Sequence, residues 1–573
     1  MESIVRNIFR LFVLGVYPGI IAICFYALYR KSKYKESIKK HWKWILCNTL
    51  TVLIVGSVFI YIFYSFEDTI YSYDYAGHWI RALKLRELFF NNPSEIFKSI
   101  YESMNYSEYS SLPALLGLGF ILVNYSYGFF VLGIFVGFLG PILLLLNIQY
   151  FTYYKKFKWL PMVVSIIFYP LYYSIIYGEV DVVGMLFVVM AYMLIILQDY
   201  DEIDTFDNIV MNLFGFMMIF LRRWYLFTLV AIYIVYFIKF LIRFKKDIFK
   251  KDTALEFVRI VSSGIILLVV ILVFFRPFLG MVLGNSFSEA YSFYNHDGKL
   301  ISLINFYSWI TIMVSIYGIY TLIKERNHNI IVYISVLILI PLIMFWRIQS
   351  MEYHHYYMIT LNVLILFVVG LYNLLDKTKY SNLLVLAMSF QLILIYCPVL
   401  NYNLPVFTKL RKHPLVLEYK QDVIDFTYYL KSITPEDWQS AYLASGSSVL
   451  NDDMLRNSIL PDTDAPQIDS AVLDLRDGFP KDLQYVKYVI TIDPIQYSDK
   501  DYQHIYEIIT EAITRDTIVS KIYKPVNTVT INGLTLTVYE RIDDFNKEIK
   551  EYFYQKMISY YPDKEEFFKY IME

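Results

Sequence analysis

Residues 112–123 read LPALLGLGFILV, a run of apolar residues without a charge, and whether it crosses a membrane decides the layout of everything around it. A helix crossing about 30 Å of hydrocarbon needs about 20 mostly apolar residues. This run is too short, so it is expected to lie as a juxtamembrane or re-entrant helix. The surrounding chain of 573 residues is 57% apolar and 19% aromatic, well beyond the composition of a soluble domain of that length. It holds about twelve longer runs, near 8–29, 45–66, 127–150, 159–176, 182–198, 208–221, 224–242, 257–275, 303–323, 330–346, 356–374 and 380–399. Hydrocarbon offers no partner to an open backbone amide, so each is expected to be a helix.

With 112–123 left out of the count, the strongly basic loops fall on one side. Arg30 to Lys43 carries seven Lys and Arg residues; Lys155, Lys156 and Lys158 form a second cluster, Arg243 to Lys251 a third, and Lys324 with Arg326 and Lys377 with Lys379 two more. The positive-inside rule assigns these loops to the cytoplasm. The segments 67–126, 177–181, 222–223, 276–302 and 347–355 and everything after about 400 are then external. One loop dissents, because Asp199 to Asp207 is acidic yet falls inside; acidic residues carry little weight in the rule.

The near-zero net charge hides a division. Residues 1–400 have a surplus of about eight positive charges, and the remainder a surplus of about nine negative ones. No basic stripe alternates with exposed aromatics, which excludes nucleic acid as a partner. Cys24, Cys47 and Cys397 all lie in apolar runs and offer neither a disulfide framework nor a metal cluster. After residue 400 the long apolar runs stop and strand and turn signals begin. Thr528–Ile531 and Leu534–Tyr539, joined by Asn532-Gly533, read as a hairpin. The expected fold is therefore a polytopic α-helical membrane protein with a C-terminal extracytoplasmic α/β domain. It comprises an N-terminal span and basic cytoplasmic loop (1–44), a transmembrane domain with a large outer loop at 67–126 (45–400), and a soluble α/β domain (401–573).

Charged residues gather in the segments assigned to the outer face. YDYAGHW, Tyr73 to Trp79, follows a span and precedes the amphipathic IRALKLRELF. A carboxylate at Asp74, close to the membrane boundary, would be partly desolvated and suited to general-base work; the alternative is a solvated loop acid. Glu179 and Asp181 lie in a turn with almost no loop, where charges near hydrocarbon tend to face a polar cavity. Arg222 and Arg223 interrupt an apolar stretch. Two neighbouring guanidiniums suit a phosphate or pyrophosphate, or else snorkel toward lipid headgroups. WRIQSMEYHHYY adds Arg347, Glu352, His354, His355 and Tyr356 at the same depth. Adjacent histidines point to different faces of a helix, and no HExxH spacing occurs. Arg276 and the NHDG stretch 295–298 mark another outer loop. Tyr73, His78, Trp79, Glu352 and Tyr356 are candidates to contact a bound ligand, although aromatic belts are common at this depth.

An acid in a large first outer loop, a second acid at the next outer turn and cations on later outer loops together resemble the GT-C class of polyprenyl-phosphate-sugar glycosyltransferases. More narrowly, the pattern is similar to bacterial relatives of dolichyl-phosphate-mannose protein mannosyltransferases and to lipid A aminoarabinose transferases. The resemblance covers roughly residues 45–400 and lies in topology and loop placement. It implies Asp74 as general base, Asp181 as the second acid with Glu179 beside it, and Arg222, Arg223, Arg347, His354 and His355 as the lipid-phosphate group. It also implies a polyprenyl-phosphate-linked sugar donor, an extracytoplasmic acceptor (glycan, lipid or protein), contact with membrane lipid, and residence in a bacterial plasma membrane. The family often has Asp-Glu where this chain has Asp74-Tyr75, so a divalent metal ion at Asp74 and Asp181 is left open. A polysaccharide polymerase or ligase using polyprenyl-linked donors, a secondary transporter and a non-enzymatic scaffold are the alternatives.

Overall fold

The computed structural model describes residues 2–107, 109–245, 250–284, 299–347, 351, 353–377, 414–434, 441–461, 466–470, 481–497 and 503–572. The chain divides into two compact units, one built from 1–65, 78–288 and 294–413 and the other from 66–77, 289–293 and 414–573.

The first unit is helical. Its elements begin with α1 (Glu2–Tyr29), α2 (Ser32–Ser65), α3 (Tyr73–Asn91), α4 (Glu95–Tyr106), α5 (Leu112–Val123) and α6 (Tyr127–Ile134). α6 runs through a π turn into α7 (Gly140–Tyr153). Then follow α8 (Leu160–Ile167), α9 (Tyr173–Ile176), α10 (Val182–Ala191), α11 (Thr205–Leu221), α12 (Tyr225–Phe244), α13 (Lys251–Phe274), α14 (Arg276–Gly284), α15 (Lys299–Tyr307), α16 (Trp309–Lys324), α17 (His328–Trp346) and α18 (Tyr357–Lys377). Among the described residues seven helices are long and apolar enough to cross a membrane: Val5–Tyr29, Ser32–Ser65, Tyr127–Tyr153, Tyr225–Phe244, Thr253–Phe274, His328–Trp346 and Tyr353–Lys377. α15 and α16 form an eighth if counted as one span bent by 93°, at Ser308, whose φ is 69°.

The remaining expected spans behave differently. Run 159–176 breaks at Phe168 into α8, a 3-10 turn and α9, because Pro170 withholds an amide and disfavours helix at the residue before it. The helices Val182–Ile196 and Thr205–Leu221 are apolar but short. Run 380–399 lies outside the described residues. Every residue of α10 is buried, as expected for a helix that is apolar all round, whereas α1, α2 and α13 keep exposed apolar faces suited to lipid. The run 112–123 is a single short helix, α5.

The basic loops meet at one end of this unit, and the dissenting acidic loop meets them there. Arg30 pairs with Asp204 at 2.8 Å, Lys31 with the fully buried Asp207, Lys33 with Glu202 at 3.9 Å and Arg243 with Asp201 at 2.8 Å. Lys156 reaches Asp376 at 2.6 Å, and Lys377 reaches Glu325 at 3.8 Å. The acids of 199–207 are thus the counter-charges of the basic cluster that follows α1. Asp204 and Asp207 also form a reciprocal capping box that starts α11.

The second unit carries a five-stranded sheet of β1 (Ala441–Leu443), β2 (Ile468–Ser470), β3 (Tyr488–Asp493), β4 (Tyr523–Ile531) and β5 (Leu534–Arg541) in the order β2-β1-β3-β5-β4. β1 is parallel to β2 and β3, and β5 is antiparallel to β3 and β4. Asn532 and Gly533, at φ 49° and 75°, make the β4–β5 turn with both central residues left-handed, as a two-residue hairpin requires. Alternation along the strands builds two cores. Tyr442 and Val489 pack with Ile505, Ile509, Phe553 and Met557, whereas Leu443, Ile490 and Leu536 pack with Val423, Phe426 and Leu430. The helices are α19 (Lys420–Ile433), α20 (Asp452–Asn457), α21 (Gln503–Thr514) and α22 (Lys547–Tyr560).

Candidate functional site

In the first unit the two apolar helices α10 and α12 begin side by side, and their first residues bring an acid to a cation. Gly184 makes this approach feasible, because a Cβ there would stand 2.2 Å from the Tyr225 ring. The Tyr225 hydroxyl donates to the Asp181 carbonyl at 2.7 Å. One turn before Tyr225, Arg222 places its Nε 2.7 Å from Asp181 Oδ1. Both side chains are buried, at 8% and 1% exposure. A guanidinium Nη1 also lies 3.2 Å from Nε2 of His78 on α3. Arg222 can only donate, so Nε2 accepts and His78 carries its proton on Nδ1. Burial, and then the neighbouring Arg222, hold the His78 imidazole well below its ordinary pKa, so that it is neutral. Asp181 Oδ2 and His78 Nδ1 are buried and make no hydrogen bond among the described residues.

His78, Arg222 and Arg223 line a cleft with about 420 Å³ of atom-free space, together with Ser103, Ser107 and Tyr109 from the end of α4 and the segment after it, and apolar residues such as Phe220 and Phe278. The described lining holds two arginines and no carboxylate. Tyr109 lies under Arg222 at 5.7 Å and under Arg81 at 5.4 Å, and Arg81 also donates to Ser107 Oγ at 3.3 Å. A concave surface with fixed guanidiniums, hydroxyls and a neutral imidazole donor suits an oxyanion such as a phosphate ester.

Protein-family models and curated proteins give no match to this chain. The candidate site therefore stands on its own geometry.

Glu179 sits in the turn before α10, where Gly178 adopts φ 73° against the Tyr127 hydroxyl. Its carboxylate lies 3.5 Å from His354 Nδ1. His355 packs edge-on against Trp224 at 4.8 Å and against Phe345 at 4.5 Å. The acids and cations assigned to separate roles from the sequence are thus cross-paired, Asp181 with Arg222 and Glu179 with His354. Asp74 stands in the first turn of α3, four positions before His78; it belongs to the second unit and His78 to the first.

Several expected contact residues are packed within the unit. Trp79 is buried, donates from its indole to the Tyr125 carbonyl at 2.9 Å and packs on Tyr127. Tyr356 is fully buried against Phe306 and Tyr307. Arg347 ends α17, is exposed and does not line the cleft. Arg276 is exposed at the start of α14. Glu352, the NHDG stretch and the side chain of Tyr73 lie outside the described residues. Among the described residues no group of three or more His, Cys, Asp or Glu could hold a metal ion, and Asp181 is committed to a guanidinium. The sequence reading missed Arg81, Tyr109 and the serines of 103–110. Arg81 carried a usable signal, since it lies three positions after His78 on one helix face; Tyr109 carried none.

Proposed function

We propose that the protein is a membrane glycosyltransferase of the GT-C kind, which moves a sugar from a polyprenyl-phosphate donor to an acceptor outside the cytoplasm. The observation that carries this is the buried Arg222, held by Asp181 and His78 at the edge of a cleft that Arg223, Tyr109 and several serines also line. In the proposed reaction the bond from the sugar's anomeric carbon to the phosphate oxygen breaks as one to the acceptor oxygen forms. Asp74 takes the acceptor's proton, and the charge gathering on the departing phosphate is met by Arg222 and Arg223, already in place. The positive-inside rule puts the end bearing the 30–43 and 155–158 clusters in the cytoplasm. The acceptor is a cell-envelope glycan, lipid or protein, the second unit is extracytoplasmic, and the chain makes up to twelve crossings of a bacterial plasma membrane.

The test incubates purified protein with a panel of polyprenyl-phosphate sugars and follows transfer. Wild type transfers from at least one donor, and Asp74→Asn is slower by about 10²–10⁴-fold, the usual contribution of a general base. Equal rates in the two proteins would refute the role of Asp74. Absence of transfer from every donor would refute glycosyl transfer and favour a scaffold or transporter.

A further inference from the structure

We infer that residues 66–72 are fastened to the C-terminal unit as an extended segment and that Asn457 and Lys420 are positioning residues for Asp74, an inference that rests on the glycosyltransferase proposal for the role of Asp74. These residues form no helix of their own between α2, which ends at Ser65, and α3, which begins at Tyr73. A linker of that kind ordinarily samples many conformations, and fixing each residue costs about 1–2 kcal/mol. Here the linker is held at three consecutive levels within one compact unit.

Asp68 makes a parallel bridge with Val416: its amide donates to the Leu415 carbonyl at 2.8 Å, and its carbonyl accepts from the Leu417 amide at 2.8 Å. Lys420 Nζ, 352 positions away in sequence, closes on the Asp68 carboxylate at 2.6 Å. Ile70 is buried in the core formed by Val423, Phe426, Leu430 and Leu450. Asn457 Nδ2, 386 positions away, donates to the Tyr71 carbonyl at 2.8 Å, three residues before Asp74. Backbone pairing, core burial and a side-chain bond thus bring the chain to the start of α3 in one conformation, with Asp74 in the first turn. Misplacement of a reacting group by about 1 Å can cost about 10²-fold in rate, so a tether ending three residues upstream has leverage on a base.

The test uses the full-length protein in micelles. Hydrogen exchange of the peptides spanning 66–77 and 414–420 should show protected Asp68 and Leu417 amides in wild type. Exchange should be about tenfold faster in Asn457→Asp and Lys420→Met, each of which removes one fastening, and unchanged in Lys420→Arg. In the transfer assay Asn457→Asp should lower kcat by about 10–100-fold with the KM for donor unchanged, and should cost nothing further in an Asp74→Asn background. Exchange of 66–72 at unstructured rates in wild type would overturn the tether. Accelerated exchange with unaltered kcat would overturn the positioning role while leaving the transferase proposal standing. A protected segment in a protein that transfers from no donor would overturn the positioning role together with that proposal.

Discussion

Asp181→Asn tests whether Arg222 is a structural cation or a ligand-binding one. At 2.7 Å and an effective dielectric constant of about 20, the Coulomb attraction of the pair is about 6 kcal/mol. Asparagine keeps an oxygen to accept from Nε but no charge, so the buried guanidinium loses the carboxylate charge of this pair. Breaking a buried pair in this way typically costs about 3–5 kcal/mol. The expected outcome is a thermal-unfolding midpoint lower than wild type by on the order of 5 °C, followed by intrinsic fluorescence in detergent. If the cleft binds an oxyanion, an added polyprenyl phosphate supplies the missing negative charge. At about 100 times its dissociation constant it would return about 2.7 kcal/mol, and it should raise the midpoint of Asp181→Asn more than that of wild type. Arg222→Gln should lose the ligand-induced shift. Equal shifts in wild type and Asp181→Asn, or an Asp181→Asn protein as stable as wild type, would refute this account of the pair.

The neutral His78 makes stability depend on pH. Its pKa is depressed in the fold by burial and by Arg222, so below about pH 6.5 the unfolded chain takes up a proton that the native state refuses. Stability is full above that pH and falls by up to about 1.4 kcal/mol per unit as the pH drops toward the folded pKa. Unfolding midpoints between pH 7.5 and 5 should fall less steeply in His78→Gln than in wild type; parallel slopes would exclude the effect. In the helix pair α16–α18, a Cβ at Gly370 would sit 2.1 Å from the Val314 carbonyl oxygen and one at Gly318 2.2 Å from that of Leu366. Backbone cannot yield cheaply at such contacts, so Gly370→Val should cost about 1–3 kcal/mol by overpacking. Gly264→Ala in α13, where nothing lies within 4 Å of the added carbon, should be neutral or gain up to about 1 kcal/mol from helix propensity, as compared by the same thermal scan.

Apolar length makes the long helices legible in the sequence, since only composition is needed to recognise Tyr127–Tyr153 or Tyr225–Phe244 as membrane-length. The same criterion does not resolve the shorter apolar helices. α10 is as apolar as its neighbours, yet it is short and wholly buried, and a hydropathy window does not distinguish protein from lipid as the surrounding medium. The Asn532-Gly533 hairpin is legible because its turn needs two left-handed residues and few residue pairs supply them. The fastening of 66–72 to the C-terminal unit is not. It rests on partners more than 350 positions away, and on Ile70, in the short stretch FEDTIYS, which carries no periodic signal.

The candidate site was legible by residue and not by pairing. Turns at the ends of apolar runs mark Asp181, Arg222 and His354 as charges near hydrocarbon, and the cost of leaving such charges there requires each to find a polar neighbour. That requirement does not say which neighbour. An acid seeking only another acid and a metal ion would have met Asp74; instead the close start of α10 and α12, permitted by Gly184, delivers Arg222 to Asp181. The same logic operates at the opposite end of the unit, where the acids of 199–207, poorly explained by topology alone, complete the cations of Arg30, Lys31 and Arg243. There Asp201, Glu202, Asp204 and Asp207 are each matched by a cation. At Arg222 a cleft does open, lined by a second arginine and by no described acid. The oxyanion reading rests on that cleft and the guanidiniums that line it, and not on the presence of buried ion pairs as such.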